Sequence, residues 1–172
     1  LFDAYEAGIP LLGIYDFGTT SPDHAAFLSN ALTEFQGDLK TRLLVLDAEQ
    51  SAGNQMTVAG MEQWGDAVQL SQGRFPTIYM GRAGPDGTGH GLPSPTLSQC
   101  PLWIPAYGPH ENDLGTRLPP GWRLPQNDTE SAGVVRLWQF SGDGINAPDP
   151  WPPGIPAKCD LSYLIGFSSL AA

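Results

Sequence analysis

Two acidic residues, Asp47 and Glu49, follow a short apolar run and could carry out acid–base chemistry. The run LLVL at 43–46 is typical of a strand. Because side chains alternate along a strand, Asp47 and Glu49 would share one face, with Cα atoms about 6.5–7 Å apart. Neighbouring carboxylates repel, so one holds its proton more tightly, as the general acid of glycoside hydrolysis requires. The spacing also fits two acids that only begin a polar loop.

Aromatic residues on or near predicted strands could form a surface that binds sugars. They are Tyr15, Tyr79, Trp103, Tyr107 and Trp138. The C–H faces of sugars stack on aromatic rings, and tyrosine hydroxyls add hydrogen bonds. Aromatic residues in strands also fill protein cores, so each of these positions is open to both interpretations.

The elements that would position these residues are strands alternating with helices in the first half of the chain. Strands are predicted at residues 11–17, 42–49, 76–81, 101–108, 134–140 and 157–165, and helices at 21–37 and about 55–70. In the second helix, the inner stripe is Val58, Met61, Gly65 and Val68. The strand at 42–49 is apolar on both faces until its last three residues, which is typical of a parallel sheet covered by helices. The order indicates the α/β class, in which ligands bind at the carboxyl ends of strands. The segments at 82–99 and 109–133 are predicted loops.

Composition limits the classes of partner. The chain has 172 residues, enough for one domain with a core, and 18 acidic against 8 basic residues give a net charge of −10. Such a charge disfavours nucleic acid as a partner. No apolar run approaches the length of about 18 residues that a membrane span needs. Residues 1–10 lack the features of a signal peptide, so we expect that any such signal has been removed from an exported protein.

Neither a metal site nor a cofactor is expected. Cys100 and Cys159 lack metal-ligand spacing, and His24, His90 and His110 are scattered among polar residues, where we expect solvated side chains. The two cysteines could form one disulfide, as in exported proteins, or both could be free.

Six segments, in order along the chain, resemble motifs of glycoside hydrolase family 25, the lysozymes or N,O-diacetylmuramidases. They are AGIPLLGIYDFG at 7–18, LLVLDAE at 43–49, FPTIYMG at 75–81, PLWIPAYG at 101–108, RLWQFSGDG at 136–144 and PPGIPAKCDLSYLIG at 152–166. The likeness covers nearly the whole chain. Each motif is weak alone, but six in the right order are fairly specific.

The resemblance implies an irregular TIM-like β/α barrel with few helices, formed by a single domain over residues 1–172. It implies a secreted enzyme that hydrolyses the β-1,4 bond between N-acetylmuramic acid and N-acetylglucosamine in bacterial peptidoglycan. Glu49 corresponds to the general acid and Asp47 to the second acid, which orients or stabilises the reacting centre. The candidate substrate-binding residues are Asp160, Tyr15, Tyr79, Tyr107 and Trp138.

The chain departs from the family pattern in two ways. The family opens with a G-x-DVS-x-x-Q strand that bears another active-site Asp, followed by an F-x-IKATEG strand, and neither motif occurs here. We therefore expect a barrel that is incomplete at its N-terminus, with the missing strands supplied by a longer protein or a separate chain, or a domain that no longer catalyses. Asp16 stands where the family usually has His, and it would disturb the acid pair unless it faces outward.

Two alternatives to a muramidase remain at this point. One is a non-catalytic carbohydrate-binding or structural relative of the same fold. The other is a different polysaccharide hydrolase of the barrel type.

Overall fold

Six strands form one sheet in which hydrogen-bonded neighbours follow the order of the chain. The structure is a computed structural model and describes residues 13–19, 24, 43–48, 56–81, 94–107, 118, 122–126, 132–142 and 160–165. The strands are β1 (Gly13–Phe17), β2 (Leu43–Asp47), β3 (Thr77–Tyr79), β4 (Leu102–Pro105), β5 (Val135–Ser141) and β6 (Leu161–Leu164). Strands β1 to β5 are parallel, and β6 runs antiparallel to β5.

The predicted α/β class is confirmed, because parallel strands pack against a helix. Five of the predicted strands each contain a shorter observed strand, and β5 has the predicted length but begins and ends one residue later than predicted. The helix predicted at 21–37 lies outside the described residues, apart from His24, which is helical. The segment predicted as a loop at 82–99 contains a short 3-10 helix, Leu97–Gln99, in its described part.

Helix α1 spans Val58–Gln72 and has a clear signal at each end. At its start, the Thr57 hydroxyl accepts a hydrogen bond from the Gly60 amide at 3.1 Å. At its end, Gly73 adopts the left-handed conformation with φ 72° and donates its amide to Gln69. None of the helices in the described part of the chain is long and apolar enough to cross a membrane.

The inner face of α1 packs against one face of the sheet. Its buried residues are Met61, Trp64, Gly65 and Val68. They recur at the helical spacing that the sequence predicts, with Trp64 added to the stripe and Val58 only half-buried. The sheet residues that face this layer are fully buried, and they include Leu44, Leu46, Ile78, Leu102 and Ile104. Alternation therefore turns the intervening residues towards the opposite face of the sheet.

Cys100 is a free, buried thiol in the layer between the sheet and α1. Its Sγ lies 3.7 Å from the carbonyl oxygen of Thr96, to which it donates. Burial, with a smaller contribution from the negative charge of Asp66, raises the pKa of the Cys100 thiol from 9.0 to about 12. The disulfide that the sequence left open is thus not formed by Cys100, and Cys159 lies outside the described residues.

The raised pKa predicts a slowly reacting thiol in the folded protein. In a Cys159→Ser background at pH 8, we expect Cys100 to react with an aromatic disulfide reagent on the order of 10³-fold more slowly in the native than in the denatured protein, because the thiolate is the reactive form. Equal rates would contradict this expectation.

The same shift predicts how stability changes with alkaline pH. Since the folded pKa of about 12 exceeds the unfolded value of 9.0, the contribution of this thiol to stability is fully present below pH 9 and is lost as the pH rises towards 12. Urea unfolding at pH 8 and pH 10 measures the loss. Cys100→Ser in the same background is the control, and it should show a smaller decrease.

Candidate active site

A cavity of about 540 Å³ lies where the parallel strands end. Residues from all five parallel strands and from the segment before β6 contribute to it. The described residues that line it are Tyr15, Phe17, Val45, Asp47, Tyr79, Trp103, Tyr107, Gln139 and Asp160. Five of the sequence-predicted site residues are therefore brought together, and they combine two carboxyl groups with three phenol rings.

Asp47 is the last residue of β2 and stands between two aromatic residues. It is in register with Phe17 on β1 and with Tyr79 on β3. Two backbone hydrogen bonds hold this end of β2: the Gly18 amide donates to the Asp47 carbonyl at 2.7 Å, and the Ala48 amide donates to the Tyr79 carbonyl at 2.8 Å. The Asp47 side chain is thus mounted on a strand whose backbone is anchored on both sides.

Glu49 lies outside the described residues, so its position beside Asp47 stays a prediction. The described part of β2 follows the predicted alternation. Val45 and Asp47 line the cavity, whereas Leu44, Leu46 and Ala48 are buried in the core.

Asp160 reaches the same cavity although it lies 113 positions after Asp47 in the chain (160 − 47). The direction of β6 explains this. Because β6 is antiparallel, its first residue, Leu161, pairs with Ser141 at the end of β5. A residue just before β6 therefore lies at the edge where the parallel strands end. The placement agrees with the expectation from the closing motif.

Two aromatic rings form one wall of the cavity. Tyr79 and Trp103 meet edge to face, with ring centroids 5.2 Å apart and planes at 77°. The Trp103 Nε1 donates to the Ser162 hydroxyl on β6 at 3.1 Å. Since β4 and β6 both neighbour β5, this bond crosses β5 on the cavity side and fixes the plane of the indole.

Tyr107 rests directly on the backbone of Gly142. A Cβ atom at position 142 would lie 2.7 Å from the Cζ atom of the Tyr107 ring, closer than any side chain can approach. The fully buried Gln139 amide also donates to the Tyr107 hydroxyl at 3.4 Å. The ring is thus held at the rim of the cavity, where 39% of the residue is exposed.

Trp138 does not line the cavity, so its prediction as a substrate contact is corrected. The residue is 5% exposed, belongs to the core, and donates its Nε1 to the Ala106 carbonyl at 2.8 Å. Alternation along β5 is the physical reason, because Gln139 occupies the cavity face and Trp138 the opposite one.

Asp16 faces α1 rather than the cavity, so it lies on the opposite side of β1 from Tyr15 and Phe17. It accepts a hydrogen bond from Trp64 Nε1 at 3.0 Å and contacts His24 Nδ1 at 2.9 Å. The expectation of a solvated His24 is wrong, because this carboxylate holds the imidazole in a site where only 13% of the side chain is exposed.

Sequence reasoning missed three of the described residues that line the cavity: Phe17, Val45 and Gln139. Phe17 and Val45 share a face with predicted site residues two positions away, so alternation alone could have identified them. Trp103 was noted as an aromatic residue, and its register with Tyr79 is the signal that places it in the site.

No group of three or more His, Cys, Asp or Glu side chains in the described residues could hold a metal ion. No protein-family model, curated protein or solved structure matches this chain. The relation to glycoside hydrolase family 25 therefore remains a resemblance between motifs.

The contact between Tyr107 and Gly142 predicts a strongly coupled pair. Gly142→Ala should lower the free energy of unfolding by about 1–3 kcal/mol, because the added methyl group overpacks against the ring. Urea denaturation measures this cost in the parent and in a Tyr107→Ala background, where we expect most of it to disappear. Gly81→Ala is the matched control, since a Cβ atom there meets no atom within 4 Å. An equal cost in both backgrounds would contradict the coupling.

Proposed function

We propose that this protein hydrolyses the β-1,4 bond between N-acetylmuramic acid and N-acetylglucosamine in peptidoglycan. The observation that carries the proposal is the cavity in which Asp47 and Asp160 lie among aromatic side chains at the carboxyl ends of a parallel sheet. Ligands of α/β proteins bind at this edge. The volume of about 540 Å³ falls in the range of small-ligand pockets.

The proposed chemistry assigns one acid to each role. Glu49 is the general acid that protonates the leaving oxygen, and Asp47 is the ionised partner. The negative charge of Asp47 favours the protonated form of Glu49 and stabilises the positive charge that develops at the sugar carbon in the transition state. Asp160, from the start of β6, is assigned to substrate binding through its carboxylate oxygens.

The proposed binding mode relies on ring stacking and hydrogen bonds. Tyr15 is 67% exposed and Tyr107 is 39% exposed, so both present flat apolar surface together with a hydroxyl at the cavity. Tyr79 and Trp103 form one wall of the cavity, and the edge-to-face contact between their rings holds this wall in place. With a net charge of −10, long-range attraction to an anionic cell wall is weak, so short-range contacts must supply the affinity.

The proposal includes an irregular β/α barrel, with the helix outside and the cavity at one end. The order of the strands supports it, because each strand pairs with the next one in sequence, as in a barrel. In such a barrel, the side of β1 that is turned away from β2 pairs with further strands, supplied by a longer chain or by a separate one. Secretion and the peptidoglycan substrate belong to the same proposal.

A non-catalytic carbohydrate-binding relative is the second candidate. Two observations favour it: the first-strand motif with its active-site Asp does not occur in the sequence, and most of the described residues that line the cavity are aromatic or neutral. Such a surface binds sugars without any need for an acid pair.

Incubation with purified peptidoglycan distinguishes the two candidates. Cleavage releases new reducing ends, and borohydride reduction followed by hydrolysis identifies the sugar at those ends. The proposal expects muramic acid at the new ends. Glucosamine ends would indicate a different hydrolase, and binding to the wall in a sedimentation assay without new ends would indicate the binding relative.

The assignment of Glu49 predicts that Glu49→Gln lowers the rate of wall cleavage by about 10²–10⁴-fold, because glutamine keeps the size of the side chain but cannot donate the proton. The free energy of unfolding should change by no more than about 0.5 kcal/mol. Asp47→Asn should also impair turnover, and the two losses should not add, since both residues act on one transition state.

Glu62→Gln is the matched control for this series, because Glu62 lies on α1, which covers the other face of the sheet. It should cleave at the parental rate. If Glu49→Gln in an active parent also cleaves at the parental rate, Glu49 is removed from the mechanism.

A further inference from the structure

A buried hydrogen-bond network lies on the side of β1 that is turned away from the cavity. Its centre is Asp16, which is 9% exposed. One carboxylate oxygen, Oδ2, accepts from Trp64 Nε1 at 3.0 Å and from His24 Nδ1 at 2.9 Å. A carboxylate in such a site needs these donors, because burial without them is costly. Asp16 is therefore tied to α1 and to the segment that follows β1.

The other nitrogen of His24 is directed at Thr19. Its Nε2 lies 3.2 Å from the Thr19 amide nitrogen, 2.9 Å from the hydroxyl and 3.1 Å from the carbonyl oxygen. When the Nδ1 proton is donated to Asp16, the Nε2 of a neutral ring is an acceptor and receives the N–H or O–H of Thr19. The network thus fixes the chain just after β1.

Gly18 connects this network to Asp47. Its amide donates to the Asp47 carbonyl at 2.7 Å, and its own carbonyl accepts from the Met56 amide at 3.3 Å. A Cβ atom at position 18 would lie 2.9 Å from the Asp47 carbonyl oxygen, so the two backbones meet more closely than a side chain would permit. Thr19 directly follows Gly18, so the network and the end of β2 meet at adjacent residues.

We propose that Asp16 and His24 are positioning residues that keep Asp47 in place in the cavity. They act through Thr19 and Gly18 on the backbone of β2, without contact with substrate. The catalytic part of this inference rests on the proposed function, whereas the structural part, that the network anchors Asp47, does not.

Two distances, 2.9 Å from Asp16 Oδ2 to His24 Nδ1 and 2.9 Å from His24 Nε2 to the Thr19 hydroxyl, resemble those of a nucleophilic triad. The contacts of Nε2 argue against that role. The nitrogen faces the amide, hydroxyl and carbonyl of one residue, which is the arrangement of a closed turn, and Thr19 is not among the residues that line the cavity.

Amide hydrogen exchange tests the anchoring directly. In ¹⁵N-labelled protein, Asp16→Ala and His24→Ala should speed exchange of the Gly18 and Ala48 amides by about tenfold or more. The reason is that the hydrogen bonds that these two amides donate break more often in the variants. The amides of Met80 and Ile165, which donate to Trp103 and Arg136 on other strands, should not change. Asp16→Asn should restore most of the protection, because its amide oxygen can still accept both bonds.

Thr96→Val is the matched control for this experiment, since it removes a side-chain hydrogen bond of 3.2 Å to Asp66 outside the network. It should leave Gly18 and Ala48 at parental rates. If Asp16→Ala does not fold, His24→Ala and Asp16→Asn decide the result. Unchanged exchange at Gly18 and Ala48 in His24→Ala would overturn the proposal.

Kinetics test the consequence for catalysis. On solubilised peptidoglycan, His24→Ala should lower kcat by about 10–100-fold, because small displacements of a reacting group are costly. KM should stay within about twofold of the parent, since the aromatic residues of the cavity lie on the other face of the sheet. Faster exchange with an unchanged kcat in an active parent would overturn the catalytic part. A parent that cleaves no wall even with the chain or segment that supplies the further strands refutes the proposed function instead, and the exchange data still decide the anchoring.

Discussion

The alternation of side chains along β2 and its neighbouring strands is the constraint on which both the fold and the site depend. On β2, Leu44 and Leu46 are fully buried against the helix layer, while Val45 and Asp47 line the cavity. A shift of one residue would place Asp47 in the core and a leucine in the cavity. The burial of two leucines, each stabilising the fold by about 1.5–3 kcal/mol, therefore also determines the face on which the acid lies.

The reversal of direction at β6 completes the cavity. The last residues of the five parallel strands lie at one edge of the sheet, and the first residue of the antiparallel strand β6 lies at the same edge. Asp160 directly precedes β6, and it therefore lies at the edge where β2 ends with Asp47. The bond from Trp103 to Ser162 then fixes β6 across β5 on the cavity side. Two acids distant in sequence are thus brought together by strand direction alone.

Hydrophobic patterns in the sequence predicted the positions of the strands and the inner face of α1. The apolar runs marked every described strand, and the stripe on α1 was recovered because burial of one helical face repeats every three or four residues. The face on which Trp138 lies could not be predicted from the polarity pattern. Nearly all of β5 is buried, and each set of alternate positions along it contains both polar and apolar residues. The exposure of His24 was predicted wrongly because its partner, Asp16, lies on a strand, and no local sequence pattern links a strand residue to a histidine eight positions later.

The sheet also separates acids that would otherwise repel one another. Asp16 is in register with Leu46, and the next residue, Phe17, is in register with Asp47, so the two carboxylates lie on neighbouring strands but on opposite faces. The negative charge of Asp16 is met on its own side by the Trp64 and His24 donors. Those bonds hold the carboxylate against α1, where it cannot turn towards the cavity. An acid at position 16 is therefore compatible with an acid at position 47, because the bonds of Asp16 tie β1 to the helix layer on the other face of the sheet.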